Sequence, residues 1–493
     1  MTLPTDAYPS AVIRQFERDA IGAGVAGYTL MQRAGAAALA HLRRRWPEAR
    51  RIVVVAGTGN NGGDGLVLAR LAAASGVDAS VLLVGEVAAI HGEAAEALRD
   101  LRAAGLDPRP FVAARLNGCD VVVDALLGLG VRAPLKAEWR AAIETMNACD
   151  AKVFSIDLPS GLDPDTGGAL PAVKAVATIT FLGLKQGLFL GEGPAHAGEI
   201  EFDALDVAPA SSAAPSLKLL GTQCLQDALP PRPRQGHKGL FGRVLLIGGG
   251  QGMAGAVRMA GEAALRVGAG LVTVASRPEH LGVVVGDRPE LMFHAVQKGA
   301  DLAAALEQAQ VIAIGPGLGR SAWAQDLLQF VLANTRAGQR LVLDADALNL
   351  VAQGGALHRE DWILTPHPGE AARLLGRSTA AVQADRLSAL ADLVRTRGGI
   401  VVLKGASTLV GGRTEVPRLC TRGNPGMAVP GMGDVLTGAI AGLLAQGAEP
   451  FTATSAAVEA HARAGDSCAA RGVRGVLALE VAAELRVVLA GLP

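Results

Sequence analysis

Short apolar runs that alternate with helical runs constrain the fold of this chain more than any other feature of the sequence. In the first half, runs long enough for one buried strand occupy 52–56, 79–84, 121–126, 153–157 and 177–182. Helical stretches such as 93–104 and 137–149 separate several of them. Strands that alternate with helices favour βαβ units and a mostly parallel sheet.

The second half repeats this alternation. Strand-like runs occupy 244–248, 271–275, 311–315, 341–344, 362–365 and 400–404. Helical runs such as 255–267 and 324–333 lie between several of them, and two amphipathic helices are predicted between 11 and 45. The segment 208–216, rich in Ala, Pro and Ser, has the composition of a linker. A chain of 493 residues is long enough for two cores, so we predict domains at 1–212 and 217–493.

Charge and cysteine usage exclude several classes of protein. The chain has 46 acidic and 46 basic residues and no basic stripe, which argues against nucleic acid or an anionic membrane surface as partner. Its five cysteines have no CxxC spacing, as in proteins with reduced thiols. The N-terminal residues lack the apolar core of a signal peptide, and no apolar run approaches membrane-spanning length. We therefore expect a soluble cytoplasmic enzyme, as a homo-oligomer whose subunit number stays open.

A glycine-rich turn, 57–65, follows the first predicted strand and precedes the helical run 66–74. Such a turn places bare backbone N–H groups against a ligand. Its GxGxxG match is weak, because glycines 250, 252 and 255 satisfy the same pattern. The central Asn-Asn-Gly-Gly-Asp of 60–64 suits a hydroxylated ligand or a hard cation better than a pyrophosphate. The alternative is a tight turn closed by Asx hydrogen bonds.

Oxygen-bearing side chains also follow the next strands of the first half. Asp124, Asp157 and Ser160 come at strand ends, as Asn61 does. Amide, carboxylate and hydroxyl oxygens are ligands for hard cations. A bound monovalent cation would also offset the repulsion between two carboxylates, Asp124 and Asp157, in one pocket. Capping of the following turns, or a bridging water, remains the alternative.

Four segments in order resemble the epimerase domain of the bifunctional NAD(P)H-hydrate repair enzymes: 27–35, 57–65, 124–130 and 155–163. The resemblance implies a Rossmann-like three-layer α/β/α sandwich and a potassium ion held by Asn61, Asp124 and Ser160. It implies that the hydrated nicotinamide contacts Asn60, Asn61, Gly62, Gly63, Asp64, Gly128, Leu129, Gly130, Val131, Arg132, Ala133, Pro134 and Asp157. Epimerisation needs a group that accepts and donates a proton. Asp157 is the first candidate and Asp64 the second, and spacing alone does not decide between them.

The most specific stretch of the second half is 423–438, which contains Gly431-Met432-Gly433-Asp434 ahead of a predicted helix at 435–445. Free N–H groups and the helix dipole at such an N-terminus stabilise phosphate charge in a transition state. Asp434 is placed to take a proton from a substrate hydroxyl. The stretch resembles the GxGD signature of the ribokinase-like superfamily, with Met432 where a smaller residue is expected. A capping aspartate after a glycine turn is the alternative for the tetrapeptide alone.

Further segments, 238–243, 343–349, 365–370 and 404–408, resemble the dehydratase domain of the same repair enzymes, which implies a ribokinase-like α/β/α domain. The resemblance implies that the hydrate contacts Ala254, Gly317, His367 and Asp434. It implies that an adenine nucleotide, which brings Mg²⁺, contacts Lys404, Gly405, Ala406, Ser407, Thr408 and Gly433. His461 is assigned to packing, and the role of Glu370 stays open.

The predicted function is repair of hydrated NADH and NADPH. The first domain would interconvert the R and S epimers, and the second would dehydrate the S form at the expense of ADP or ATP. Because hydroxide is a poor leaving group, the hydroxyl is phosphorylated first and phosphate is then expelled. The alternative is a small-molecule kinase fused to a ligand-binding domain, which would accumulate a phosphorylated product. The sequence leaves open ADP against ATP, the preference between the two hydrates, and transfer between the two sites.

Overall fold

A computed structural model describes residues 3–130, 134–207, 213–229, 231–355 and 357–490. The chain forms two compact units, Met1–Leu217 and Lys218–Pro493, called here the first and the second unit. Residues 208–212 of the predicted linker lie outside the described residues. In the described part of the chain no helix is long and apolar enough to cross a membrane.

The first unit alternates strands with helices. Its strands are β1 (Asp6–Tyr8), β2 (Arg51–Ala56), β3 (Asp78–Leu83), β4 (Arg109–Pro110), β5 (Val121–Ala125), β6 (Lys152–Ile156), β7 (Ala177–Phe181), β8 (Leu184–Lys185) and β9 (Glu199–Asp203). Its helices are α1 (Ser10–Gly22), α2 (Gly27–Arg45), α3 (Asn60–Ala74), α4 (Gly92–Ala103), α5 (Ala137–Ala148) and α6 (Gly193–His196). The predicted pair of N-terminal helices corresponds to α1 and α2.

The main sheet of the first unit has the order β4-β3-β2-β5-β6-β7-β9, and all its pairings are parallel. The chain moves outward from β2 through β3 to β4 and then returns to the other side of β2 with β5. In open sheets this reversal leaves a crevice between the two central strands, outside their carboxyl ends. Ligands are therefore expected beyond Ala56 and Ala125.

Strand β2 shows why the sequence reads as a continuous apolar run. Ile52 and Val54 pack into the core on one face of the sheet, whereas Val53 and Val55 pack into the core on the other. A parallel sheet covered by helices on both faces buries every residue of its central strands. This arrangement confirms the predicted three-layer α/β/α class for the first unit.

The second unit continues the alternation. Its strands are β10 (Leu217–Leu219), β11 (Arg243–Ile247), β12 (Leu271–Ser276), β13 (Met292–Ala295), β14 (Val311–Ile314), β15 (Arg340–Leu343), β16 (Trp362–Leu364), β17 (Ile400–Leu403), β18 (Leu409–Gly411) and β19 (Arg418–Leu419). Its helices are α7 (Thr222–Ala228), α8 (Ala254–Arg266), α9 (Leu281–Val285), α10 (Ala303–Gln308), α11 (Ala322–Asn334), α12 (Ala345–Gln353), α13 (Pro368–Leu375), α14 (Thr379–Ala384), α15 (Arg386–Arg397), α16 (Met432–Ala445), α17 (Pro450–Ala469) and α18 (Ala478–Ala490).

Its sheet runs β13-β12-β11-β14-β15-β16-β17-β18-β19-β10. The strands from β13 to β17 are parallel, and β18 and β19 add antiparallel pairings. The reversal of direction now falls between β11 and β14. The carboxyl ends of β11, β14, β15, β16 and β17 therefore form one edge, which carries residues 248, 315, 344, 365 and 404.

Helix α16 lies deep in the second unit, and every residue from Val435 to Ala445 is buried. Its close packing on α8 depends on Gly438, because a Cβ there would lie 2.0 Å from the carbonyl oxygen of Ala260. Gly431 supplies the left-handed conformation, φ +94°, that turns the chain into the helix. The helix N-terminus is thus held by the core and not by a surface loop.

Candidate functional sites

A cavity of about 470 Å³ lies at the crevice between β2 and β5 of the first unit. Its lining includes Asn61, Asp64, Gly128 and Asp157, which the sequence had assigned to substrate or metal, together with Lys185. Polar side chains from separate turns therefore meet in one place.

The glycine-rich segment differs in detail from its prediction as a turn. Helix α3 begins at Asn60, so residues 60–64 form its first turn and do not precede it. A Cβ added at Gly57 would lie 2.0 Å from Leu126 O, and a Cβ added at Gly62 would lie 2.0 Å from Gly57 O. The glycines let the strand end, the helix start and the turn after β5 pack backbone against backbone, which brings the N–H groups of α3 to the cavity.

The three predicted metal ligands lie together. Ser160 Oγ donates to Asp124 Oδ1 at 2.5 Å and lies 3.2 Å from Leu127 O. Asn61 Nδ2 donates to the same carbonyl oxygen at 2.9 Å, and Asn61 Oδ1 is buried without a hydrogen-bond partner among the described residues. An unpartnered buried amide oxygen beside a carboxylate, a hydroxyl and a carbonyl fits a hard cation. The described residues contain no group of three or more His, Cys, Asp or Glu side chains that could hold a metal.

The charge argument for that cation is wrong in one respect. Asp124 is fully buried, and its carboxylate accepts hydrogen bonds from Ser155 Oγ and from the backbone N–H of Ser160, both at 2.8 Å. Burial raises the pKa of Asp124, and these bonds oppose the rise. Asp157, in turn, has its own counter-charge in Lys185, which the sequence argument did not consider. Repulsion between the two carboxylates therefore does not by itself require a bound cation.

Asp157 is held in an unusual backbone conformation. Its φ is +67°, a left-handed value that non-glycine residues seldom adopt. Its carboxylate pairs with the Lys185 ammonium group and accepts a hydrogen bond at 3.3 Å from the N–H of Phe181. Strained residues of this kind cluster at functional sites, where the surrounding structure over-determines them.

Three further carboxyl groups, those of Glu17, Asp64 and Glu93, share this cavity. Burial, followed by the charges of Asp157 and Glu17, raises the pKa of Asp64 well above its ordinary value. Burial, followed by the charges of Asp157 and Glu93, also raises the pKa of Glu17. The pocket can therefore hold a carboxylic acid and a carboxylate together, which is the pairing that proton transfer needs.

The other predicted contact residues of the first unit divide into three groups. Asn60, Gly128, Leu129 and Gly130 line the cavity. Gly62 and Gly63 are buried in the first turn of α3, and Pro134 is exposed outside the cavity lining. Val131, Arg132 and Ala133 lie outside the described residues.

A buried carboxylate, Asp344, is the centre of the site in the second unit. It follows β15 and accepts from Lys404 Nζ at 2.7 Å, from Thr365 Oγ1 at 2.8 Å and from Thr437 Oγ1 at 2.8 Å. Lys404 follows β17, and Thr437 lies on α16. The Asp344 carboxylate thus holds the Lys404 ammonium group, at the strand edge, close to the N-terminal half of α16.

Asp434 lies beside this cluster at the start of α16. Burial, followed by the charge of Asp344, raises the pKa of Asp434 to about 7, although Lys404 opposes the rise. A Cβ added at Gly433 would lie 3.2 Å from Lys404 Nζ, so the backbone of the helix N-terminus directly adjoins the ammonium group. N–H groups, a cation and a carboxyl group with a near-neutral pKa therefore occupy one small region. That combination can accept a proton and stabilise phosphate charge.

His367 and Glu370 form the start of α13 at the same edge. Glu370 accepts from the His367 N–H at 2.8 Å, and His367 Nδ1 accepts from the Gly369 N–H at 3.0 Å. Burial, followed by Lys404 and Arg373, lowers the pKa of His367. Burial raises the pKa of Glu370 to about 7. His367 is thus a neutral capping histidine whose ring remains half exposed to the cleft.

The predicted nucleotide loop, 404–408, is held from behind by a residue that the sequence argument missed. The buried Arg386 donates through Nη2 to the carbonyl oxygens of Leu403, Lys404 and Ser407 at 3.0, 3.2 and 3.3 Å. Ser407 takes a left-handed φ of +61°, whereas Gly405 and Ala406 face solvent. Thr408 Oγ1 donates to Gly405 O at 2.9 Å. The loop is therefore rigid where it joins β17 and accessible at its tip.

The remaining predicted residues of the second unit adjoin this edge. A Cβ on Gly317, which has φ +56°, would lie 2.7 Å from Met253 O, so Gly317 packs on the start of α8, where Ala254 is the first residue. The side chain of Met432, which stands where a smaller residue was expected, is buried in the core. His461 is buried, and a hydrogen bond links it to the backbone of Met432. Its packing role thus includes support of the N-terminus of α16.

Comparison with protein families assigns both units. The family described as NAD(P)H-hydrate dehydratase matches residues 244–486, and the family described as YjeF-related protein N-terminus matches residues 27–187. A protein of Coxiella burnetii named bifunctional NAD(P)H-hydrate repair enzyme Nnr is 47% identical over 98% of this chain and 99% of its own length. A protein of the same name from Escherichia coli is 41% identical over 99% of this chain and 94% of its own length.

Among solved structures, a ribokinase-like superfamily protein of Enterococcus faecalis is similar to this chain at 34% identity with a TM-score of 0.53. The match covers 57% of this chain and 98% of the other. This similarity confirms the predicted ribokinase-like fold of the C-terminal domain.

Proposed function

This chain belongs to the family of bifunctional NAD(P)H-hydrate repair enzymes, and we propose that each of its two units carries one of the two activities. Residues 1–212 would interconvert the R and S forms of hydrated NADH and NADPH. Residues 217–493 would dehydrate the S form at the expense of ADP or ATP. The observation that carries this proposal is the cluster of Asp344, Lys404 and Asp434 at the N-terminus of α16.

In the dehydration, the oxygen of the substrate hydroxyl attacks the terminal phosphorus of the nucleotide, and Asp434 takes the proton of that hydroxyl. Lys404 and the free N–H groups at the start of α16 stabilise the charge that builds on the transferred phosphoryl group. The lone pair of the ring nitrogen then expels phosphate, which carries away the oxygen of the former hydroxyl. Loss of the proton from the neighbouring ring carbon restores the reduced nicotinamide.

The contacts assigned to the two ligands follow from this arrangement. Ala254, Gly317 and His367 would position the hydrate, and residues 404–408 with Gly433 would hold the nucleotide. The phosphates bring Mg²⁺, which offsets their charge. Incubation with hydrated NADH and either ADP or ATP, followed at the absorbance band of the reduced nicotinamide, tests the proposal. Accumulation of a phosphorylated hydrate without recovery of absorbance would favour the kinase alternative.

In the first unit, Asp157 and Asp64 are the proposed acid–base pair, in that order of preference. Asn61, Asp124, Ser160 and the carbonyl of Leu127 would hold a potassium ion. When bound, that ion would supply a fixed positive charge to the pocket. The side chains themselves orient the hydrate on the first turn of α3.

The two activities are expected to be separable. Residues 217–493 expressed alone should fold and dehydrate the S hydrate while leaving the R hydrate unchanged, because the second unit has its own core and its own strand-edge site. Chromatography of the two epimers after incubation with ADP or ATP measures this, with the full chain as control. A fragment that is folded but inactive on the S hydrate would contradict the proposed division.

The cation site leads to a second prediction. Asp124→Ala should lower epimerisation by at least about 10–100-fold and abolish its dependence on potassium, because it removes the only charged oxygen of the proposed set. Ser155→Ala is the matched control, since it removes a hydrogen bond to the same carboxylate without removing a proposed ligand. Crystals grown with rubidium should show anomalous scattering among Asn61, Asp124 and Ser160. Water alone at that position, with Asp124→Ala fully active, would refute the site.

A further inference from the structure

Lys185 is the most deeply buried basic side chain among the described residues of the first unit. It is 1% exposed, and its Nζ donates to Phe181 O at 2.7 Å and to the Asp157 carboxylate. A buried ion pair is weak evidence for stability, because the loss of hydration opposes the attraction between the charges. The pair also lies in the wall of the cavity and not in the core.

The backbone on which Lys185 lies is paired and tightly packed. Strand β8 consists of Leu184 and Lys185 and pairs in parallel with β1, so that Tyr8 lies opposite Lys185. A Cβ at Gly183 would meet Ile13 Cδ1 at 2.7 Å, which shows how tightly the segment packs against α1. The ammonium group therefore has little freedom to leave Asp157.

The Asp157 carboxylate is fixed from two directions. The N–H of Phe181 and the Lys185 ammonium group both donate to Oδ1, and the backbone has the strained φ of +67°. The Asp157 side chain is 13% exposed, so one part of it remains open to the cavity. Other charged groups face this pair: Arg14 and Glu17 from α1, Asp64 from α3 and Glu93 from α4. Four carboxyl groups, those of Glu17, Asp64, Glu93 and Asp157, thus line the cavity together with one buried cation.

We propose that Lys185 is a positioning residue of the epimerase site, which holds the Asp157 carboxylate directed at the substrate while a second carboxyl group of the pocket carries the proton. This inference rests on the proposed epimerase function of the first unit. Without the ammonium group, Asp157 would lose the partner that fixes its side chain, and the pKa values of Glu17 and Asp64, which Lys185 lowers, would rise further. Burial and the charge of Asp157 raise the pKa of Asp64, which agrees with that division of roles.

The test uses the full chain and the purified R hydrate of NADH without nucleotide, so that only epimerisation is measured. Lys185→Met should lower kcat by about 10²-fold with little change in KM, because a misplaced catalytic group costs that much in rate. The acid limb of its pH–rate profile should move to higher pH, because the positive charge that lowers the pKa values of Asp64 and Glu17 is gone. Lys174→Met, at an exposed position of the same unit, is the matched control and should leave both measurements unchanged.

Dehydration of the S hydrate by the same preparation shows whether the variant chain is intact. If Lys185→Met does not fold, the same measurements are made on Lys185→Gln. Its amide carries no charge but can still donate a hydrogen bond toward Phe181 O. A kcat within twofold of wild type and an unshifted pH profile in the folded variant would overturn the proposal. A wild-type chain that dehydrates the S hydrate but never epimerises the R form would instead refute the proposed function of the first unit.

Discussion

Asp434→Asn is expected to lower dehydration of the S hydrate by about 10²–10⁴-fold, the usual effect of removing a general base. The substitution keeps the shape of the side chain at the start of α16, and it leaves Lys404 and the helix N–H groups in place. Nucleotide affinity should therefore change little. Stopped assays for turnover and equilibrium titration with ADP and ATP measure the two quantities separately.

The pKa of Asp434 also predicts the pH dependence. Burial raises it from 3.8 to about 7, so kcat/KM of the wild type should rise with pH through about 7 as the base ionises. A carboxyl group whose pKa is higher in the folded state weakens folding as pH rises from 3.8 to about 7. Asp434→Asn removes that penalty, so it should raise Tm relative to wild type at pH 8 and have no such effect below pH 4.

Asp287→Asn is the matched control, because Asp287 is an exposed aspartate of the same unit. It should change neither turnover nor Tm at pH 8. Near-normal dehydration by Asp434→Asn would remove Asp434 from the mechanism. A large loss of activity accompanied by a lower Tm at pH 8 would instead indicate a structural role.

The architecture was predictable because its signals are local. Each strand predicted from an apolar run is present with ends that differ by one residue at most, as at 79–84, which the structure places at Asp78–Leu83. The central strands of a parallel sheet are buried on both faces, so most of their residues are apolar and adjoin each other in the sequence. The strands that the sequence analysis missed are short or lie toward the sheet edges: β1, β4, β8, β9, β10, β13, β18 and β19. In such strands too few apolar residues adjoin each other to produce a signal.

The convergence of Asn61, Asp124 and Ser160 was predictable for a different reason. In a parallel sheet the carboxyl ends of neighbouring strands share one edge, so residues in or just after the last positions of β2, β5 and β6 must approach each other. The sequence could not predict Lys185, because it comes from the short strand β8, and burial of a lysine leaves no trace in the sequence. The contacts of Arg386 behind residues 404–408 escaped prediction for the same reason.

Asp344 and Asp346 belong to one motif but have different partners in the structure. Both follow β15, and sequence alone does not distinguish their roles. In the structure Asp344 enters the network with Lys404 and Thr437, whereas Asp346 accepts from the Gly319 N–H at 2.9 Å. The two residues meet different partners because Asp344 immediately precedes α12, whereas Asp346 lies in its first turn.

Lys404→Met is expected to abolish dehydration and also to destabilise the second unit by about 3–5 kcal/mol, the usual effect of removing one partner of a buried ion pair. Asp344 is 1% exposed, so its charge cannot be solvated when Lys404 is lost. Thr365 and Thr437 would still donate to it, but two neutral hydroxyl groups do not replace a cation. Denaturant unfolding measures the loss of stability, and the nicotinamide absorbance measures the loss of turnover.

The double variant Lys404→Met with Asp344→Asn separates the two consequences. Because the amide that replaces the carboxylate carries no charge and can still accept a hydrogen bond from the threonines, most of the lost stability should return. Dehydration should stay low, since the cation that stabilises the transferred phosphoryl group remains absent. Recovery of activity together with stability would show that Lys404 serves only to neutralise Asp344. A double variant as unstable as Lys404→Met would show instead that the uncompensated charge of Asp344 is not the cause of the destabilisation.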